Sequence, residues 1–92
     1  MLIMLKEDGS IAIEDPYNFK HFALALADER PHSSAAVDLE NGFAWVNAEH
    51  LRNFPGLAQD PKWQNGLQGM IAFARGRGWV DLRDRIRAHI EP

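Results

Sequence analysis

Two stretches of the chain alternate large apolar residues with small or polar ones on either side of a short turn, Glu7-Asp8-Gly9 in the first and Glu40-Asn41-Gly42 in the second. An acidic or amide residue followed by glycine between β-favouring runs is the strongest local hairpin signal, because glycine takes the left-handed backbone that such turns require. The register follows from which residues must share a face. In the first hairpin a three-residue loop with glycine in the bulge position pairs Leu5 with Ile11 and Ile3 with Ile13, whereas a two-residue loop sets Lys6 opposite Ile11. The same choice in the second pairs Leu39 with Phe43 and Val37 with Trp45, turning all four inward; a two-residue loop would set Trp45 opposite Asp38.

Elsewhere the apolar period lengthens from two towards 3.6, the helical value. Asp15-Pro16 reads as an N-cap and first-turn proline, after which Phe19, Phe22, Ala23 and Leu26 recur at helical spacing until Pro31. Asn47 caps a shorter helix that runs to Phe54 and is closed by Pro55-Gly56. Asp60-Pro61 repeats the cap-and-proline device before a stripe of Trp63, Leu67, Met70, Ile71 and Ala74, with Gly76 and Gly78 as stops. At the carboxyl end Leu82, Ile86 and Ile90 fit a narrow helical stripe, but Ile86, Ala88 and Ile90 alternate strictly with Arg85, Arg87, His89 and Glu91, so a strand is expected. The whole reads as one α+β domain over residues 1–92. Two ββα units are extended by a third helix and a C-terminal strand (ββαββααβ), giving a largely antiparallel sheet with helices on one face.

Composition narrows the classes. The 92 residues suit one domain, and 46% hydrophobic with 25% charged residues excludes a disordered or low-complexity chain. Cysteine is absent, so disulfides and thiolate chemistry are excluded. The apolar run Met1–Leu5 has no basic segment before it and is too short for a secretion signal or a membrane span, so a cytoplasmic protein without a membrane partner is expected. Net charge is −3, unevenly placed: residues 1–60 hold four Lys and Arg against ten Asp and Glu, and residues 61–92 hold six against three. A basic tail end suits nucleic acid, but an overall pI of about 5.7 argues against that partner.

Candidate chemistry is sparse. With both hairpins in the bulge register, Met4, Ala12, Ala36, Ala44 and Val46 lie on the sheet face turned from the helices, an apolar surface low in bulk that suits the interface of a homo-oligomer. Arg85, Arg87 and His89 form a cationic row on that face, and with Trp79 they are the expected binding site of a small anionic ligand, since guanidinium groups grip carboxylate and phosphate with paired hydrogen bonds. Trp79 is expected to line a cleft with Phe54 and Pro55-Gly56. His21, His32, His50 and His89 fall on four different elements without ligand spacing, so neither a metal nor a cofactor is expected. The Asp28–Ser34 stretch holds the residue types of a hydrolase triad but no nucleophile elbow. Lys62, Gly66, Gly69, Phe73 and Gly76 share a stripe of the long helix, where another backbone is expected to approach closely, that of the first helix or, as the alternative, that of a helix from a second subunit. The reading that results is a small binding or interaction domain, expected as a homodimer. Its alternatives are a cofactor-free isomerase or hydrolase using His32, His50 or His89 as acid or base in a subunit-interface cleft, and nucleic-acid binding through the basic end.

Overall fold

The computed structural model describes residues 1–27, 33–40 and 42–91. Strands β1 (Leu2–Leu5), β2 (Ile11–Glu14), β3 (Ala23–Leu26), β4 (Val37–Leu39) and β5 (Phe43–Asn47) come first, followed by helices α1 (Ala48–Arg52) and α2 (Pro61–Gly76) and strand β6 (Arg85–Glu91). The six strands form one sheet in the order β2-β1-β3-β6-β5-β4. Only the three pairs of the two flanks, β2–β1, β6–β5 and β5–β4, are antiparallel; β3 runs parallel to both β1 and β6. Leu51 of α1 and Trp63, Leu67, Met70 and Ile71 of α2 join Ile3, Leu24, Val46 and Ile86 of the sheet in one core. The α+β class therefore stands, with two helices rather than three among the described residues and a mixed sheet.

The first predicted helix is replaced by a crossover and a strand. Asp15 has a φ of 51°, outside the extended range of an N-cap, and Pro16–Phe22 passes over α2 before β3 begins. Ala23-Leu24 is fully buried, as suits a strand with a neighbour on each side. Such a strand is apolar on both faces and loses the polar alternation by which a strand is recognised, so its run imitates a helical stripe. Trp63 Nε1–H donates to the Pro16 carbonyl at 2.9 Å, and the Tyr17 hydroxyl donates to Asp60, the N-cap of α2. That bond holds the Asp60 carboxyl below the usual carboxylate range and pushes the Tyr17 phenol up.

The small residue at Gly66 belongs to this crossover. A Cβ there would fall 2.1 Å from Cε2 of the Phe19 ring, whereas Gly69 and Gly76 have open space around them. The close approach is thus made by one aromatic side chain and not by a neighbouring helix backbone. Gly66→Ala gains up to about 1 kcal/mol of helix propensity, but it must displace Phe19 from its contact with Trp63, whose ring centroid is 6.5 Å away. Overpacking costs about 1–3 kcal/mol, so a net loss in chemical denaturation is expected, and Phe19→Leu in the same chain should recover part of it.

The first hairpin has the expected register, with Leu5 opposite Ile11 and Ile3 opposite Ile13, and Gly9 takes a φ of 87°. The second does not. Leu39 faces Ala44, Asp38 faces Trp45 and Val37 faces Val46, and Glu40 N–H donates to the Phe43 carbonyl at 2.9 Å, which leaves two residues in the connection. Ala36, Ala44 and Val46, expected on the free face, lie in the core at 5%, 0% and 0% exposure, so three of the five expected interface residues are out of a partner's reach. Met4 and Ala12, partners across β1 and β2, remain on the outer face. The physical reason is the layer beneath the helices, where Ala44 stands opposite Ala88 and Ala48 starts α1, all buried. The rings excluded from that layer are covered outside by cations: Arg87 stacks 4.4 Å from the Phe43 centroid and Arg85 stands 5.7 Å from that of Trp45.

Candidate functional site

The site is built on a change of neighbour along one edge of β6. At its start that edge is met by the segment following α2: Gly78 takes a φ of 78°, Val80 bridges to Ile86, and Arg87 N–H donates to the Trp79 carbonyl at 2.8 Å. Further along, β3 takes over with Ala23 beside His89. Between Trp79 and the residues that lead into β3 the edge is notched, and a cleft of about 490 Å³ opens there. Its walls are Phe19 and Phe22 on one side and Phe73 and Trp79 on the other, with Met70, Ala74 and Ile86 below. Phe73 and Trp79 meet edge to face at 6.2 Å between centroids and are 60% and 40% exposed, a large apolar surface left in solvent.

The remaining lining residues are Lys20, His21, Arg87 and His89. The mouth thus carries four basic side chains and no acidic one. The Arg77 guanidinium lies 5.3 Å from the Phe73 centroid and 5.7 Å from that of Trp79 and extends the cationic rim. Among the described residues, Lys20, Arg77 and Arg87 form no ion pair with a carboxylate. Just outside the lining, His21 Nε2 and His89 Nε2 stand 3.1 and 3.7 Å from one oxygen, Oε1 of Glu91, with their rings edge to face at 6.4 Å. The segment that presents His21 is pinned by the Met1 amino group, which donates to the carbonyls of Asn18 at 2.7 Å and His21 at 2.5 Å.

The expected ligand site is therefore divided. Arg87, His89 and Trp79 come together at the cleft; Arg85 does not. Arg85 Nε donates to Asp81 at 2.7 Å and its NH1 to Asp38 at 2.9 Å, so it acts as a tie between the turn before β6 and the edge strand β4. Its pKa is raised, first by the Asp81 hydrogen bond. Burial works to push the Asp81 carboxyl up, but hydrogen bonds from Arg85 and Arg83 outweigh it and hold the group low. Phe54 and Pro55 lie elsewhere, in a wide groove with His50 and Glu49, so Trp79 pairs with Phe73 instead. His32 and the Asp28–His32 part of the triad-like stretch lie outside the described residues, and Ser33 Oγ donates to Asp38.

Sequence reasoning missed Lys20, His21, Phe22 and Phe73. The first three were assigned to a helix that is a crossover. Phe73 stands off the buried stripe of α2, and an aromatic residue out of phase with its helix was the available signal. Among the described residues no group of three or more His, Asp or Glu side chains is arranged to hold a metal ion, and no helix is long and apolar enough to cross a membrane. No family model, no curated protein and no solved structure matches the chain.

Proposed function

We propose that this chain is a binding domain for a small organic anion, with the ligand's apolar body between Phe22, Phe73 and Trp79 and its anionic head at Lys20, His21, Arg87 and His89. The observation that carries the reading is the combination in one notch of exposed aromatic walls with lining polar side chains that are all basic, Glu91 standing just outside them. Its volume lies within the roughly 300–1,000 Å³ of ordinary small-molecule sites, which pair apolar walls with a few oriented polar groups. Aromatic walls reward a flat or slender apolar body; the guanidinium and ammonium donors of Arg87 and Lys20 reward carboxylate or a similar oxyanion. Because the mouth is open to water, its ion pairs contribute modestly and the apolar body supplies the larger share of affinity.

The test is calorimetric titration with three ligands of one body and different heads: 3-phenylpropionate, 3-phenylpropanol and 3-phenylpropylamine. The anion is expected to bind about five- to tenfold more tightly than the alcohol, the worth of one or two charge-assisted hydrogen bonds in partial solvent, and the amine more weakly than both. Arg87→Ala should remove most of that preference, whereas Arg85→Ala should leave it unchanged. Equal affinity for the three heads would refute an anion site.

A second reading, proton-transfer catalysis at the same cleft, is favoured by one feature, the approach of His89 to a carboxylate in a notch that accepts an organic body. A carboxylate beside an imidazole orients the ring, an arrangement that general acid–base catalysis uses.

A further inference from the structure

Resting on the anion-binding reading, we propose that Glu91 is a resident competitor: its carboxylate sits beside the two imidazole nitrogens that the ligand's own carboxylate takes over on binding. Three observations carry this. First, the two histidines reach the same atom, Glu91 Oε1, from different segments, His21 from the crossover and His89 from β6. Second, both histidines line the cleft and Glu91 does not, so its side chain reaches the imidazoles from outside the space a ligand would fill. Third, among the described residues Lys20 and Arg87 on the same rim have no carboxylate partner, so the chain's own carboxylate engages only part of a larger cationic set.

The chemistry names the ligand class more closely. Two imidazole nitrogens, 3.1 and 3.7 Å from one carboxylate oxygen of the chain, stand where a ligand's carboxylate can meet both of them. A carboxylate on an apolar stem, entering from the cleft side, gains Lys20 and Arg87 as well as the two imidazoles, which Glu91 does not. Binding is then an exchange of one carboxylate for another. The charged groups around the histidines are Lys20 from the crossover and Arg87 and Glu91 from β6; Phe22, Met70 and Phe73 contribute none.

The experiment compares wild type and Glu91→Gln by titration with 3-phenylpropionate at pH 5.5 and pH 8.0, after circular dichroism has shown the variant folded. Glu91 ends a strand and its side chain is one-third exposed, so the isosteric amide leaves the packing intact. The variant is expected to bind about fivefold more tightly than wild type, the worth of about one exposed ion pair. Adding His89→Gln should remove the gain. In parallel, nitrogen shifts of the His21 and His89 rings in the wild-type chain should move on ligand addition, a readout that does not depend on the variant. If wild type binds the probe but Glu91→Gln binds it equally or more weakly, Glu91 only orients the imidazoles and the competitor role is overturned. If neither form binds at either pH, the anion-binding reading itself is overturned, and the competitor role with it.

Discussion

Ala44→Glu is expected to abolish folding. Ala44 is fully buried under the helices, opposite Ala88 on β6 and Leu39 on β4. A carboxylate introduced there has no cation within the layer, and an unpaired buried charge costs several kcal/mol, against a total stability of about 5–15 kcal/mol for a domain. Overpacking a site shaped for a methyl group adds about 1–3 kcal/mol. The matching change on the other side of the sheet, Ala12→Glu, meets solvent beside Met4 and should leave the thermal midpoint nearly unmoved. Circular dichroism of the pair reads out which face is inside. A folded Ala44→Glu chain would return the second hairpin to the bulge register, in which Ala44 points outward.

Trp63→Ala is the next largest. Trp63 is fully buried at the start of α2, touches Phe19, and ties the crossover down through its indole N–H to the Pro16 carbonyl. Removing a buried tryptophan side chain costs about 3–5 kcal/mol through lost transfer energy and the cavity left behind, and the Pro16 carbonyl loses its partner as well. Urea titration should show the midpoint falling by a large fraction of its value. Trp63→Phe keeps most of the volume and loses the donor, so it should lose less, and the difference between the two variants isolates packing from the hydrogen bond.

These residues also show what could be read from the chain itself. Both helices among the described residues announce themselves by an N-cap, Asn47 and Asp60, whose side chains accept the first free N–H groups. The strand at 85–91 follows from alternation, because its outer face bears charges and its inner face does not. The first hairpin's register is legible because its two faces differ in polarity, Leu5 and Ile11 against Lys6 and Ser10. The second hairpin offers no such contrast. Phe43, Ala44, Trp45 and Val46 are all apolar, so the face that turns inward is decided by how closely the helices approach, and the small residues win that position. The rule that the largest apolar residues go inside fails where guanidinium groups from the adjacent strand cover the excluded rings. β3 was hidden for a related reason: a central strand has no polar face to alternate with, and only the length of Ala23–Leu26 separates it from a helical stripe.

The cleft was half legible. Arg87, His89 and Trp79 stand out by type, and their convergence depends on the reversal at Gly78 that lays Trp79 along β6. Arg85, identical in type and two residues from Arg87, belongs to the scaffold, because only the folded chain brings Asp38 within 2.9 Å of it. His21 and Lys20 reach the mouth by way of a crossover whose path depends on Trp63 and Gly66, both distant in sequence.

Nitrogen–proton correlation spectra of the labelled protein during addition of 3-phenylpropionate locate the ligand on the molecule. Binding in the notch between Trp79 and β3 should give saturable shifts at the Trp79 indole and at the amides of His21, Phe22, Arg87 and His89, with Trp45, Trp63 and the His50 groove unmoved. Saturable shifts centred on His50, Asn53 and Phe54, or no shift at the Trp79 indole at millimolar ligand, would contradict it.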